Sequence, residues 1–339
     1  MQRSLALFLV SFLAITAKVQ TQTSTEIFGS GAYQFSIDFV DIGNSGQSGA
    51  MNGWPSPVGS VSYSYKLGKY EISAEIIDKV KLASSLGIIR SGGGSLAAYG
   101  VSWYDAARFV NYLNTSKGFN PAYKFDSSGN FQLWTSGDPG YDANNRFRNK
   151  QARFVIPSAD EWYKGAYGSP AGIWYFYPNG SISMPAYITS GTEGAVYAVS
   201  FQGQPAPVHL AGSLSAWGTM GQGGNVNEWN ETALDQINDN PSETRICRGG
   251  TWSQNGSYLF ANQPNYNDPS ARLDGVFVNQ DGPGFRVAML PETTNQVTTN
   301  TYSLFIQKSY DMQNWINISS NKVSDTNSKS FFRIEIKKE

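Results

Sequence analysis

Apolar positions along the chain fall into short runs separated by turn residues, broken by three stretches of helical spacing. Residues 26–45 (EIFGSGAYQFSIDFVDIGNS) predict short strands, and Tyr63 to Ile72 (YSYKLGKYEI) predicts another, rich in Tyr and Ile. Ser73 then stands as the N-cap of a helix over 74–85. Ile76, Ile77, Val80 and Leu82 supply its apolar face, and Gly87 supplies a stop. The run Ser102-Trp103-Tyr104-Asp105 resembles a capping box, and Trp103, Ala106, Ala107, Val110 and Leu113 recur at helical spacing until Gly118. A polar stretch over 120–150 follows, dense in turn chemistry (DSSGN, SGDPG, DANN), with a small hairpin suggested by Phe125, Phe131 and Leu133. RFVIP (153–157) reads as a strand, and Ser158-Ala-Asp-Glu161 is a second capping box whose helix runs to Tyr167. From 175 to 224 the pattern is mostly loop, and Gly-bounded strands return at 245–252 and 284–290. Helices early, then irregular loops and short strands, make an α+β layout.

The two ends differ from this body. Arg3 followed by Leu5 to Ile15 (LALFLVSFLAI) reads as a signal peptide over 1–20, cut after Ala17, the alternative being an uncleaved anchor. No second apolar segment follows, so a secreted or periplasmic protein without a transmembrane segment is expected. Residues 291–301 (PETTNQVTTNT) read as a linker closing the main domain at 27–290. A C-terminal β appendage over 302–339 then carries strands at 302–308, 312–318 and 331–337.

Composition narrows the reading. Hydrophobic residues are 40% and aromatics 14%, enough for a sizeable core, while 15% charge, 35 Gly and 15 Pro suit a loop-rich fold. The net charge of −1, without long basic or acidic runs, points away from nucleic acid and anionic membranes as partners. Cys247 is alone, so no intrachain disulfide forms, and it reads as a core residue. His209, the single histidine, reads as a loop residue and not a metal ligand.

Several segments then occur in a telling order: LGKYEIS (67–73), VSWYDAARFVNYLN (101–114), RFVIPSADEWYKGAY (153–167), GGNVNEWNE (223–231), and CRGGTW (247–252) with GFRVA (284–288). Together they resemble the formylglycine-generating enzyme or sulfatase-modifying factor family. The resemblance implies an irregular, loop-rich α+β fold of the C-type-lectin-like kind. It also implies chemistry. Oxygen-dependent members hold copper(I) with a pair of thiolates, soft ligands for a soft metal. In this chain those positions fall near Leu259 and Gln263, and neither is cysteine. A related branch uses an iron centre of three histidines, which one histidine cannot build. No copper or iron site is expected.

The resemblance further implies a structural calcium held by the carbonyls of Gly224 and Val226 and the carboxylate of Glu228. Gly221 stands where an acid or amide usually contributes, and Asn227 where Trp is usual. Trp103, Trp162, Trp229 and Trp252 are expected in the core, Gly249 and Gly250 at close approaches or positive φ, and Arg286 paired with Glu161 or Glu228. The segment 253–283 lines the substrate groove in the family and here is dense in Asn, Gln, Tyr and Asp. Asn262, Gln263, Asn265, Tyr266 and Asp268 are candidate contacts for a glycan or protein ligand, with Trp134, Trp174 and Tyr175 able to widen the surface. A solvated turn-rich loop explains the same composition. Three functional classes follow: a non-catalytic binding or scaffold protein, an enzyme of the sulfatase-modifying type with an unrecognised site, and a variable ligand-binding protein. The third normally ends on its variable segment, whereas residues 287–339 follow GFR here.

Overall fold

The computed structural model describes residues 22–198, 203–263, 265–272, 282–292, 300–308 and 316–325. The expected signal peptide and the third tail strand, 331–337, lie outside them.

Strands β1 (Thr23–Phe28) and β2 (Phe35–Ile42) form an antiparallel hairpin with Thr23 opposite Val40 and Phe28 opposite Phe35. Alternation in β2 buries Phe35, Ile37 and Phe39 on one face. Strand β3 (Tyr65–Gly68) lies beside β2 and leads into α1 (Ala74–Ser84). Ile77 and Val80 of α1 are buried, but Leu82 is 68% exposed. Two residues past Val80 is about 200° around a helix, so Leu82 leaves the apolar face that the sequence assigned it. Ser73 holds the N-cap position without a side-chain cap bond.

Helix α2 (Trp103–Ser116) starts as its sequence predicts, with the Ser102 hydroxyl accepting from Asp105 N at 3.1 Å. Its buried face, from Trp103 through Ala107, Phe109, Val110 and Leu113, carries the main core. Strands β4 (Lys124–Phe125) and β5 (Phe131–Gln132) make the expected hairpin, and its Phe131 ring sits 5.0 Å from that of Trp103. Strand β6 (Phe154–Val155) precedes α3 (Ala159–Tyr167), which opens on a complete capping box. Ser158 Oγ accepts from Glu161 N at 3.1 Å, and Glu161 Oε2 accepts from Ser158 N at 2.6 Å. The loop region holds β7 (Tyr187–Ile188) and β8 (Ala195–Val196), and β9 (Glu228–Ala233), β10 (Arg245–Arg248), β11 (Asn265–Asn267) and β12 (Ala288–Met289) follow.

Two sheets place the functional segments. The larger runs β1-β2-β3-β12-β6, so the late strand β12 enters between β3 and β6 and closes the domain. The smaller runs β11-β10-β9, with β11 at its edge. Trp103, Trp162, Trp229 and Trp252 are all buried, and Gly249 and Gly250 have φ of 102° and 75°. Positive φ at both is a conformation that glycine adopts without steric cost.

The chain divides after Pro291 into a second compact unit. That unit contains β13 (Asn300–Lys308) and β14 (Ile316–Asp325), an antiparallel ribbon with Asn300 opposite Asp325 and Lys308 opposite Ile316. The strand therefore begins inside the span read as linker, and its partner runs past 318. The polar run SSNK (319–322) hid that extension, because ladder pairing with β13 and not hydrophobic alternation defines it. Among the described residues no helix is long and apolar enough to cross a membrane.

Candidate functional site

The loop 221–228 lies between the two sheets, and buried charge organises it. Arg286, wholly buried, donates from Nε to Glu228 Oε2 and from Nη2 to Glu228 Oε1, both at 2.6 Å. Its remaining donors reach Gly68 O at 2.9 Å and Met220 O at 2.8 Å. Trp162 Nε1 donates to Glu228 Oε2 at 2.7 Å. Of the two carboxylates open to Arg286 from sequence, Glu228 is the partner. Glu161 instead takes a bidentate bond from Arg148, at 2.9 and 3.0 Å, and Arg148 Nε donates to Glu231 Oε2 at 2.8 Å. Tyr63 and Tyr123 close that second network through their hydroxyls, at 2.5 Å to Glu161 and 2.7 Å to Glu231.

Sequence reasoning missed Glu71. Its Oε1 accepts from Val226 N at 3.0 Å and its Oε2 from Asn225 Nδ2 at 2.5 Å. Burial, and behind it the charge of Glu228, holds the Glu71 carboxyl well above the usual carboxylate range. A Cβ at Gly221 would stand 2.7 Å from Glu71 Oε2, so glycine there makes room for a carboxylate arriving from the end of β3. The available signal was an acid between the apolar positions of KYEIS, two residues before the N-cap.

These bonds bear on calcium. Glu228 gives both oxygens to Arg286 and Trp162, and Glu71 gives both to the loop's own donors. The carbonyls of Gly224 and Val226 remain, with the buried Asn227 amide oxygen that no donor reaches, short of the six or more oxygens that calcium takes. The residues as arranged do not fit the ion. Millimolar calcium is therefore expected to leave the melting temperature where a chelator leaves it. A rise with calcium would show that the ion displaces the Arg286 pairing.

The thiol positions of the family resemblance are filled by other chemistry. Leu259 ends a 3-10 turn over Gly256–Leu259 and is wholly buried with Ala195 and Tyr197. Gln263 is half-buried, its Nε2 3.5 Å from Asn262 Oδ1. Cys247 is buried in β10, 3.9 Å from the Asn267 amide. His209 is exposed in a 3-10 turn at Val208–Leu210. Among the described residues no group of three His, Cys, Asp or Glu side chains could hold a metal.

The five ligand candidates do not converge on one face. Cys247 pairs with Asn265 and Ile246 with Tyr266, so alternation turns Asn265 inward and leaves Tyr266, on the edge strand, 47% exposed. Asp268 is exposed, but its Oδ1 caps Ser270 through N at 2.8 Å and Oγ at 2.5 Å. Asn262 is exposed beside Gln263. Trp174 covers Tyr163, with ring centroids 5.6 Å apart, and Tyr175 is half-buried. Trp134 is buried and donates to Ala122 O at 3.0 Å, which ties it to the segment before β4.

The loop-rich α+β architecture is that of the formylglycine-generating-enzyme-like, C-type-lectin-like domains. Residues 83–290 match the family model of the Sulfatase-modifying factor enzyme 1-like domain, and the protein belongs to that family. Solved structures agree on the fold. Treponema denticola variable protein 1 is 19% identical with a TM-score of 0.50, over 79% of this chain and 99% of that one. PvdO from Pseudomonas aeruginosa is 16% identical with a TM-score of 0.50, over 78% and 98%. At these identities the likeness is one of fold alone. No curated protein matches the chain.

Proposed function

We propose that this protein is an exported, non-catalytic member of the family, a binding or scaffold module whose ligand is a glycan or a protein seated along 253–283. The observation that supports this reading most is the filling of the thiol positions. Leu259 is packed in an apolar cluster, Gln263 carries an amide, and the lone Cys247 is buried in a core strand. One buried thiol does not make the paired soft-ligand site that copper(I) takes. Export rests on the apolar segment within 1–20. Calcium forms no part of the proposal, because Arg286 already neutralises Glu228.

The test is direct. Purified protein given copper, oxygen and a cysteine peptide carrying the sulfatase motif is expected to leave the cysteine intact by mass spectrometry. Appearance of formylglycine would overturn the reading and point to an enzyme with a site of different composition.

A further inference from the structure

A single charged side chain, Glu193, falls within residues 169–198 and 249–263, in a chain where 15% of residues are charged. Neither segment contains Lys or Arg. The fold joins the two. Phe176 stacks on Phe260 with centroids 5.3 Å apart and planes 14° apart, and Phe176 O accepts from Ala261 N at 3.0 Å. Tyr197 donates to Pro185 O at 3.0 Å and meets the Tyr187 ring edge-on at 5.8 Å. Met184 lies against Gly256, where a Cβ would stand 2.6 Å from its sulfur.

The outer side of this junction is apolar and wet. Ile182 is 72% exposed, Met184 53%, Tyr187 49% and Phe176 37%. Amides and hydroxyls stand among these groups: Asn255, Ser257 and Asn262 are exposed on the adjoining turn. Contiguous exposed apolar groups mark an interaction surface. The scarcity of charge restricts the partner. An anionic polymer would gain no ion pair from either segment and would meet the Glu193 carboxylate, and any charged polymer would desolvate its own charges against ring faces. Protein hot spots combine aromatic anchors with arginine, and neither segment supplies an arginine. A neutral sugar chain fits on both counts: its C–H faces stack on rings, and its hydroxyls exchange hydrogen bonds with amides.

We propose that this face binds a neutral polysaccharide, with Phe176 and Tyr187 as ring platforms and Asn262 as a polar contact. The proposal rests on the binding-module reading. It narrows the ligand to an uncharged glycan and extends the site from the 253–283 segment onto residues 173–187.

Affinity electrophoresis of the full chain tests it, in gels carrying mannan, amylopectin or xyloglucan, with alginate as an anionic comparison. Expected is retardation by at least one neutral polymer, insensitive to salt and absent with alginate. Phe176→Ala and Tyr187→Ala are each expected to weaken that retardation about tenfold in protein that still unfolds in one cooperative transition, since burying one ring face against a ligand is worth that much. Tyr33→Ala, removing an exposed ring outside both segments, is expected to behave as wild type. Retardation by none of the neutral polymers, retardation of both ring variants as strong as that of wild type, or salt-sensitive retardation by alginate overturns the proposal. Those failures leave the binding-module reading standing if a defined protein partner is lost on Phe176→Ala. Formylglycine formation sinks the module reading whatever the gels show.

Discussion

Arg148→Ala is expected to destabilise the protein by about 3–5 kcal/mol, the range found when one partner is removed from a buried ion pair. The guanidinium lies between Glu161 and Glu231, which are 1% and 0% exposed, and also donates to Ile156 O at 3.0 Å. Without it two carboxylates stay in the core with tyrosine and amide donors only. The pH dependence separates this from lost packing. Burial pushes the Glu161 carboxyl up, but the Arg148 charge, its hydrogen bonds and those from Tyr63 and Ser158 outweigh burial and hold it below its ordinary value. A lowered folded-state value gives stability that is present above the ordinary value of 4.5 and is lost as pH falls through the folded one. In Arg148→Ala burial is opposed only by the Tyr63 and Ser158 bonds, so the sign is expected to reverse and protonation to relieve the variant. Urea denaturation should show the gap between wild type and variant wide near about pH 7 and narrower near about pH 4. Arg148→Met is expected to fail similarly, because it restores volume and not charge. A loss under about 1 kcal/mol at neutral pH, as for surface pairs, would show that the network is not a coupled unit.

Arg286→Ala is expected to cost about the same, about 3–5 kcal/mol, by a different route. One guanidinium joins the end of β3 through Gly68, the 220 loop through Met220, and β9 through Glu228. Those contacts link the larger sheet to the smaller one. Removal leaves Glu228 buried beside Glu71, whose carboxyl burial and the Glu228 charge already raise and the Arg286 charge lowers. Arg286→Lys is the sharper variant. It keeps the charge, but an ammonium cannot bridge both oxygens of Glu228 and two carbonyls with fork geometry. A Lys variant that melts close to the alanine one would show that geometry matters here; one that melts with wild type would reduce the role to charge alone.

Local features were legible because their causes are local. Ser102 and Ser158 start helices through bonds that span three residues, and the spacing of Trp103, Ala106, Val110 and Leu113 marks its own buried face. The hairpin at 124–132 and the positive φ at Gly249 and Gly250 belong to the same kind. Leu82 shows the limit: an apolar residue near a helical pattern was counted onto a face from which the helix turns it away. The C-terminal ribbon shows another, since pairing and not pattern carries β14 through SSNK.

The candidate site was half legible. Its aromatic and amide composition was visible, and so was the absence of thiols, because residue identity alone decides which metals a chain can hold. Which residues face one another was not. Asn265 and Tyr266 are neighbours in sequence, and only the register of β11 on β10 turns one inward and the other to solvent. The union of residues 173–187 with 255–263 rests on the Phe176–Phe260 stack, between positions more than eighty residues apart. By itself, then, the sequence determined the helices, the family and the missing thiol pair, which depend on short-range bonds and on which side chains are present. Tertiary structure alone decided that Arg286 pairs with Glu228 and Arg148 with Glu161, that Glu71 enters the space left by Gly221, and that Phe176 stacks on Phe260. Each is a choice among distant partners of equal chemistry, settled by which strands lie side by side.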